Sequence, residues 1–134
     1  MKLIKPFKFF NIEELTHTNT GLDNVPDTKV LYNLSMLINQ ILDPVRIEFK
    51  QAIKVNSGYR SIKVNKAVKG VANSQHLTGQ AADITAGSKE INKKLFEVIE
   101  KLGVFDQLIN EHGFEWVHVS YSDTHNRKQI LVIK

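Results

Sequence analysis

The chain has 134 residues, 42% of them hydrophobic and 24% charged, the size and balance of one folded domain spanning 1–134 that buries about two thirds of its unfolded surface. It contains no cysteine, which excludes a disulfide framework, a thiolate metal site and a cysteine nucleophile, and leaves only nitrogen and oxygen ligands for any metal. Eighteen Lys and Arg against 14 Asp and Glu give a net charge of +4, a mild field that favours polyanions, nucleic acid and an anionic cell wall alike; the basic residues are scattered, so they read as a solvated surface and no nucleic-acid partner is expected.

The N-terminal stretch "MKLIKPFKFF" has neither the 7–15-residue apolar core nor the small-residue cleavage site of a signal peptide. The expectation is mature protein made in the cytoplasm that reaches its place of action by another route. Phe7, Phe9 and Phe10 are expected to pack. No apolar run approaches the roughly 20 residues needed to cross a bilayer, so no membrane association is expected. "NIEEL" (11–15) predicts a short helix capped by Asn11. Apolar residues at 30, 31, 34, 37, 38, 41, 42 and 45 have the three-to-four spacing of an amphipathic helix starting at Asp27 or Thr28. Pro44 is expected either to kink that helix or to open a second one capped by Asp43.

"AIKVNS" (52–57) alternates as a strand, and a short helix near 61–68 ends at Gly70. "QAADIT" (80–85) is the next strand. "SKEINKKLFEVIEKLG" reads as a helix capped by Ser88 and stopped at Gly103. "DQLIN" and "WVHVSY" follow as strands, and "QILVIK" adds an edge strand. Helices first and strands later predict an α+β domain: a small, largely antiparallel sheet with helices packed against it.

Between two of these elements lies "SQHLTGQAAD" (74–83), a glycine-bearing loop holding one imidazole, His76, and one carboxylate, Asp83. Strand periodicity in "FEWVHVSY" puts Trp116, His118 and Ser120 on one face and Val117, Val119 and Tyr121 on the other. His118 is thus a candidate third ligand on a fixed element. Two nitrogens and one oxygen suit a catalytic zinc, which takes three protein ligands and keeps a position for water. Five histidines and 14 acids also offer accidental triples. The remaining histidines, His17, His112 and His125, lie in polar or glycine-rich loops and read as solvated.

The residues around the triple are more specific. "SGYRS" (57–61), Asn65, Gly70, "SQHLTGQAADI" and "WVHVS" come in the order and spacing of the zinc D-Ala-D-Ala carboxypeptidases and phage L-alanyl-D-glutamate endolysins. The chain resembles the compact phage or prophage branch of that peptidase family over nearly its whole length. The resemblance implies a hedgehog/DD-peptidase-like fold, one zinc ion on His76, Asp83 and His118, and Arg60 aimed at a substrate carboxylate or developing oxyanion. Ser74, Gln75, Tyr59 and Trp116 are the further candidates for substrate binding, with a plain turn role open for Ser74 and core packing open for Tyr59 and Trp116.

In the family an acid three residues before the last histidine is the general base, which here is Glu115. Strand parity opposes it, because residues 115 and 118 of a regular strand face opposite sides; Glu111 is the rival. The implied activity is hydrolysis of an amide bond in peptidoglycan stem peptides by a monomer, with an endopeptidase preferred to a D-Ala-D-Ala carboxypeptidase. A D,D-dipeptidase acting on small free peptides and a catalytically silent wall-binding or phage structural module are the alternatives.

Overall fold

The computed structural model describes residues 2–134. Helix α1 (Ile12–Thr16) opens with a capping box: the Asn11 side chain accepts from the Glu14 amide, and the Glu14 carboxylate accepts from the Asn11 amide at 3.2 Å. Helix α2 (Thr28–Leu37) starts on Asp27, whose carboxylate accepts from the Val30 amide. It runs without a break through a π-helical turn (Ile38–Leu42) into α3 (Asp43–Phe49). Pro44 accounts for the wide turn: it has no N–H for the Gln40 carbonyl and its ring crowds that oxygen, which an inserted π turn relieves.

Asp43 does not cap a second helix. Its carboxylate is buried and instead accepts the amides of Lys8, Phe9 and Phe10 at 2.8–3.3 Å, tying the N-terminal segment to the helical layer. Of the three phenylalanines, Phe10 is buried and Phe9 is half exposed beneath the Arg46 guanidinium.

Five strands form one sheet in the order β1-β2-β4-β3-β5, where β1 is Lys54–Ser57, β2 Ala81–Thr85, β3 Gln107–Glu111, β4 Trp116–Ser120 and β5 Gln129–Ile133. All neighbouring pairs are antiparallel except β3 with β5. Helix α4 (Ile62–Ala67) follows β1, and α5 (Lys89–Leu102) joins β2 to β3, capped by the Ser88 hydroxyl and ended by Gly103 at φ +70°.

One face of the sheet carries Val55, Ala82, Ile84, Leu108, Val117 and Val119, which join Leu34, Leu37, Ile41, Leu95 and Ile99 of the helices in the core. The period of two forces the other face to hold the intervening residues. Cross-strand partners share a face, so register alone aligns Ser57, Asp83, His118 and Ile109 in one row across four strands. Trp116 and Glu111 form the next row on the same side.

Candidate metal centre

Asp83 and His118 arrive on this row from β2 and β4. His76 comes from a single 3₁₀ turn (Gln75–Thr78), capped by the Ser74 hydroxyl and closed by Gly79 at φ +76°. The turn is set over the row by two contacts with the segment after β1: the Arg60 amide donates to the His76 carbonyl at 2.9 Å, and His76 Nδ1 lies 2.6 Å from the Gly58 carbonyl. All three residues are nearly enclosed, at 3–9% exposure.

The hydrogen bonds define the donor set. Because a carbonyl only accepts, His76 Nδ1 carries the proton, and in the neutral ring Nε2 then turns a lone pair toward Asp83 Oδ2, 3.3 Å away. His118 Nδ1 is 2.9 Å from Asp83 Oδ1, and one ligand atom of each residue lies within 4.8 Å of the others. One ring nitrogen from each histidine and one carboxylate oxygen at this spacing are able to hold a cation between them. Donors on a tetrahedral zinc, at 2.0–2.1 Å from the metal, are about 3.4 Å apart, so the residues fit that ion. Burial alone would raise the Asp83 carboxyl, but hydrogen bonding, led by His118, holds it well below the usual carboxylate range, keeping it an anion.

Gly58 shows why the segment after β1 must be bare. A Cβ there would stand 2.3 Å from the Leu15 carbonyl oxygen, a backbone atom that cannot swing aside. Gly58→Ala is expected to displace the carbonyl that fixes the His76 tautomer. Zinc affinity should fall by about 10-fold or more, the usual consequence of losing a ligand's outer hydrogen bond, with a lower unfolding midpoint; competition with a chelating dye measures the first and thermal unfolding the second.

The triad opens into a cleft of about 680 Å³ lined also by Arg60, Ser74, Gln75, Glu111, His112, Trp116 and Arg127. Arg60 donates through Nε to Ser57 at 2.9 Å, through Nη1 to Asn65 at 3.3 Å and through Nη2 to Asp83 at 3.2 Å. Burial pulls its pKa below the usual value, against the opposing charges of Asp83 and Glu111. Gly70 leaves the space for this cluster, since a Cβ would come within 2.0 Å of Asn65 Oδ1. Ser74 lines the cleft, although its hydroxyl is spent on the His76 amide. Trp116 forms a wall, its ring 5.1 Å from that of His112. Tyr59 lies elsewhere, packed against the core with its amide bonded to Leu15.

The two candidate bases part company. Glu111 faces the cleft, and its carboxyl is raised above the ordinary value, first by burial and then by repulsion from Asp83. Glu115 ends the turn before β4, one residue out of phase with the site face. It is exposed and borders a different depression, shared with Thr85, Gly87, Ser88, Lys89 and Asn92.

Three contributors, His112, Asp106 and Arg127, were not read from the sequence, the last two because their pairing depends on a long-range approach. His112 lies in the cleft wall although its glycine turn looks solvated. Asp106 is 3% exposed and accepts Gln75 Nε2 as well as Arg127 Nε and Nη2, all at 2.9 Å. Gln75 Oε1 and Trp116 Nε1, both on cleft residues, are buried without a hydrogen-bond partner among the described residues.

The hydrogen bond from Arg127 is the main reason the Asp106 carboxyl falls from 3.8 to about 2. A carboxyl depressed in the folded state stabilises above its unfolded pKa, and that contribution disappears as pH drops through the folded value. Denaturant midpoints are therefore expected to lose on the order of 1–2 kcal/mol of Asp106-dependent stability between about pH 4 and pH 2. Asp106→Asn should remove that part of the slope; an unchanged slope would count against the pair.

Fold and site together define a metallopeptidase architecture. The chain belongs to the peptidase M15 family, whose family model matches residues 8–120. Over 37 residues it is 51% identical to the zinc D-Ala-D-Ala carboxypeptidase of Streptomyces albus G. That stretch is 28% of this chain and only 14% of the relative. The family inferred from the motifs at 57–121 is thereby borne out, and the α+β expectation holds with one parallel pair added at the sheet edge.

Proposed function

We propose that the chain is a zinc peptidase that hydrolyses an amide bond in peptidoglycan stem peptides. The observation that carries this reading is the convergence of His76, Asp83 and His118 in a cleft that also holds an acid and an arginine. The relative named for zinc and D-Ala-D-Ala supports both the metal and the substrate class. When bound, zinc supplies a Lewis acid for the scissile carbonyl and lowers the pKa of water toward neutrality.

The chain's own residues do the rest. His76, Asp83 and His118 hold the ion, and the Gly58 carbonyl keeps His76 in the ligating tautomer. Glu111 takes the proton of the attacking water and returns it to the leaving amine; its cleft position and raised pKa favour it over Glu115. Arg60 steadies Asp83 and turns its two uncommitted N–H groups to the carbonyl oxygen as charge develops. Trp116 and Gln75 shape the wall around the peptide.

An endopeptidase is favoured over a carboxypeptidase because a terminal carboxylate beside the cleaved bond would need a cation free to clamp it next to the metal row, where Arg60 rather than Arg127 stands. Three of the five Arg60 donors are already engaged by Ser57, Asn65 and Asp83. The experiment is metal analysis combined with mass spectrometry of digested peptidoglycan. One zinc per chain and new internal amines are expected. Zinc without hydrolysis would favour a silent wall-binding module, and free D-alanine as the sole product would overturn the endopeptidase choice.

A further inference from the structure

Arg127 lies in the polar stretch after β4, yet it is built into the cleft wall. Its amide donates to Asp106 Oδ1, its Nε to the same oxygen and its Nη2 to Oδ2, all at 2.9 Å. The following residues are stapled to the same segment: the Lys128 amide donates to the Phe105 carbonyl at 3.2 Å and the Gln129 amide to the Asp106 carbonyl at 2.9 Å. Lys128 takes a left-handed φ of +53° to allow this, a conformation a non-glycine residue holds only where its surroundings impose it. Gln75 Nε2 fastens the other side of the Asp106 carboxylate.

Asp106 is buried, while the Arg127 side chain is 49% exposed and lines the cleft. A side-on pair through Nε and Nη2 uses one edge of the guanidinium. The other edge, with both Nη1 protons and the second Nη2 proton, has no hydrogen-bond partner among the described residues. Such an edge is a planar fork matched to a carboxylate, and it is already fixed, so little side-chain freedom is lost on binding. Its anchor stands three positions before Ile109 (106 to 109), the cross-strand partner of His118. At about 3.3 Å per residue this is about 10 Å along the sheet from the metal row, two or three residues of an extended peptide.

We propose that Arg127, held by Asp106 and Gln75, forms a second subsite that binds a carboxylate on the peptide two or three residues from the cleaved bond. This rests on the peptidase reading above and adds a specificity: an anionic stem peptide is preferred to its amidated form. Arg127 is the binding group, and Asp106 is a positioning residue that acts through it.

The test uses the zinc-loaded full chain and two stem pentapeptides that differ only in the second residue, D-glutamate with a free carboxylate or with a carboxamide. Binding is read in stopped flow from Trp116, the one tryptophan of the chain and a cleft residue, before turnover; kcat/KM is read separately. The acid form is expected to bind about 10-fold or more tightly than the amide. Arg127→Gln should bind both alike, and Arg127→Lys should keep part of the preference because it retains the charge without the fork.

Equal binding of the two peptides by the wild type, a comparison that needs no variant, would overturn the subsite, as would a full preference surviving in Arg127→Gln. The two proposals fail differently. Hydrolysis without discrimination removes the subsite and leaves the peptidase, whereas discrimination in binding without hydrolysis removes the peptidase and leaves the subsite.

Discussion

His76→Ala and His118→Ala are each expected to take the protein from about one zinc per chain to none and to abolish hydrolysis. The physical ground is the enclosure of the site: Asp83 is a buried carboxylate flanked by two imidazoles, its charge balanced by Arg60 and by the ion the pocket fits. Removing one imidazole leaves two protein ligands, too few for a stable tetrahedral centre, and leaves the carboxylate short of partners. His125→Ala, on an exposed loop outside the cleft, should retain both metal and activity. Metal analysis of the purified variants decides the matter, and full zinc in His76→Ala would end the proposed coordination.

Glu111→Gln is the second large effect. The amide keeps the shape and the cleft position but cannot accept a proton, so zinc content and folding should persist while kcat falls by a factor on the order of 100 or more, the usual worth of a positioned acid/base. Glu115→Gln, in the exposed turn on the opposite side, should stay within a few-fold of wild type. Steady-state rates of the two variants, each corrected for bound zinc, compare them directly. A dead Glu115→Gln beside an active Glu111→Gln would reverse the assignment.

The choice between these acids shows where the sequence stops being legible. Alternation in "WVHVSY" was enough to put His118 on one face and Val117 and Val119 in the core, because a period of two survives in any regular strand. It was also enough to raise the objection to Glu115. Which strand pairs with which is a tertiary fact, and only the β3–β4 register, with Glu111 opposite Trp116, brings Glu111 to the site face. The local helix signals at Asn11, Asp27, Ser88 and Gly103 were readable for a similar reason, since caps are satisfied within one turn. Asp43 misled because a buried carboxylate reaching Lys8 through Phe10 looks, in sequence, like a helix cap. Asp106 and Arg127 are 21 residues apart, and nothing in the spacing announces their bond.

The row of Ser57, Asp83, His118 and Ile109 across four strands also constrains the order of events when the chain folds. A zinc finger gathers its ligands from neighbouring residues, so the ion can act as a nucleus. Here Asp83 and His118 are separated by 35 residues, and His76 is oriented by a carbonyl 18 residues before it. Loop closures of this length must be completed by sheet pairing before three donors meet, so the metal is a late arrival. It then stabilises the finished fold by mass action, raising the unfolding midpoint with the logarithm of free zinc. Refolding rates should accordingly be insensitive to zinc, and the ion should act almost wholly by slowing unfolding.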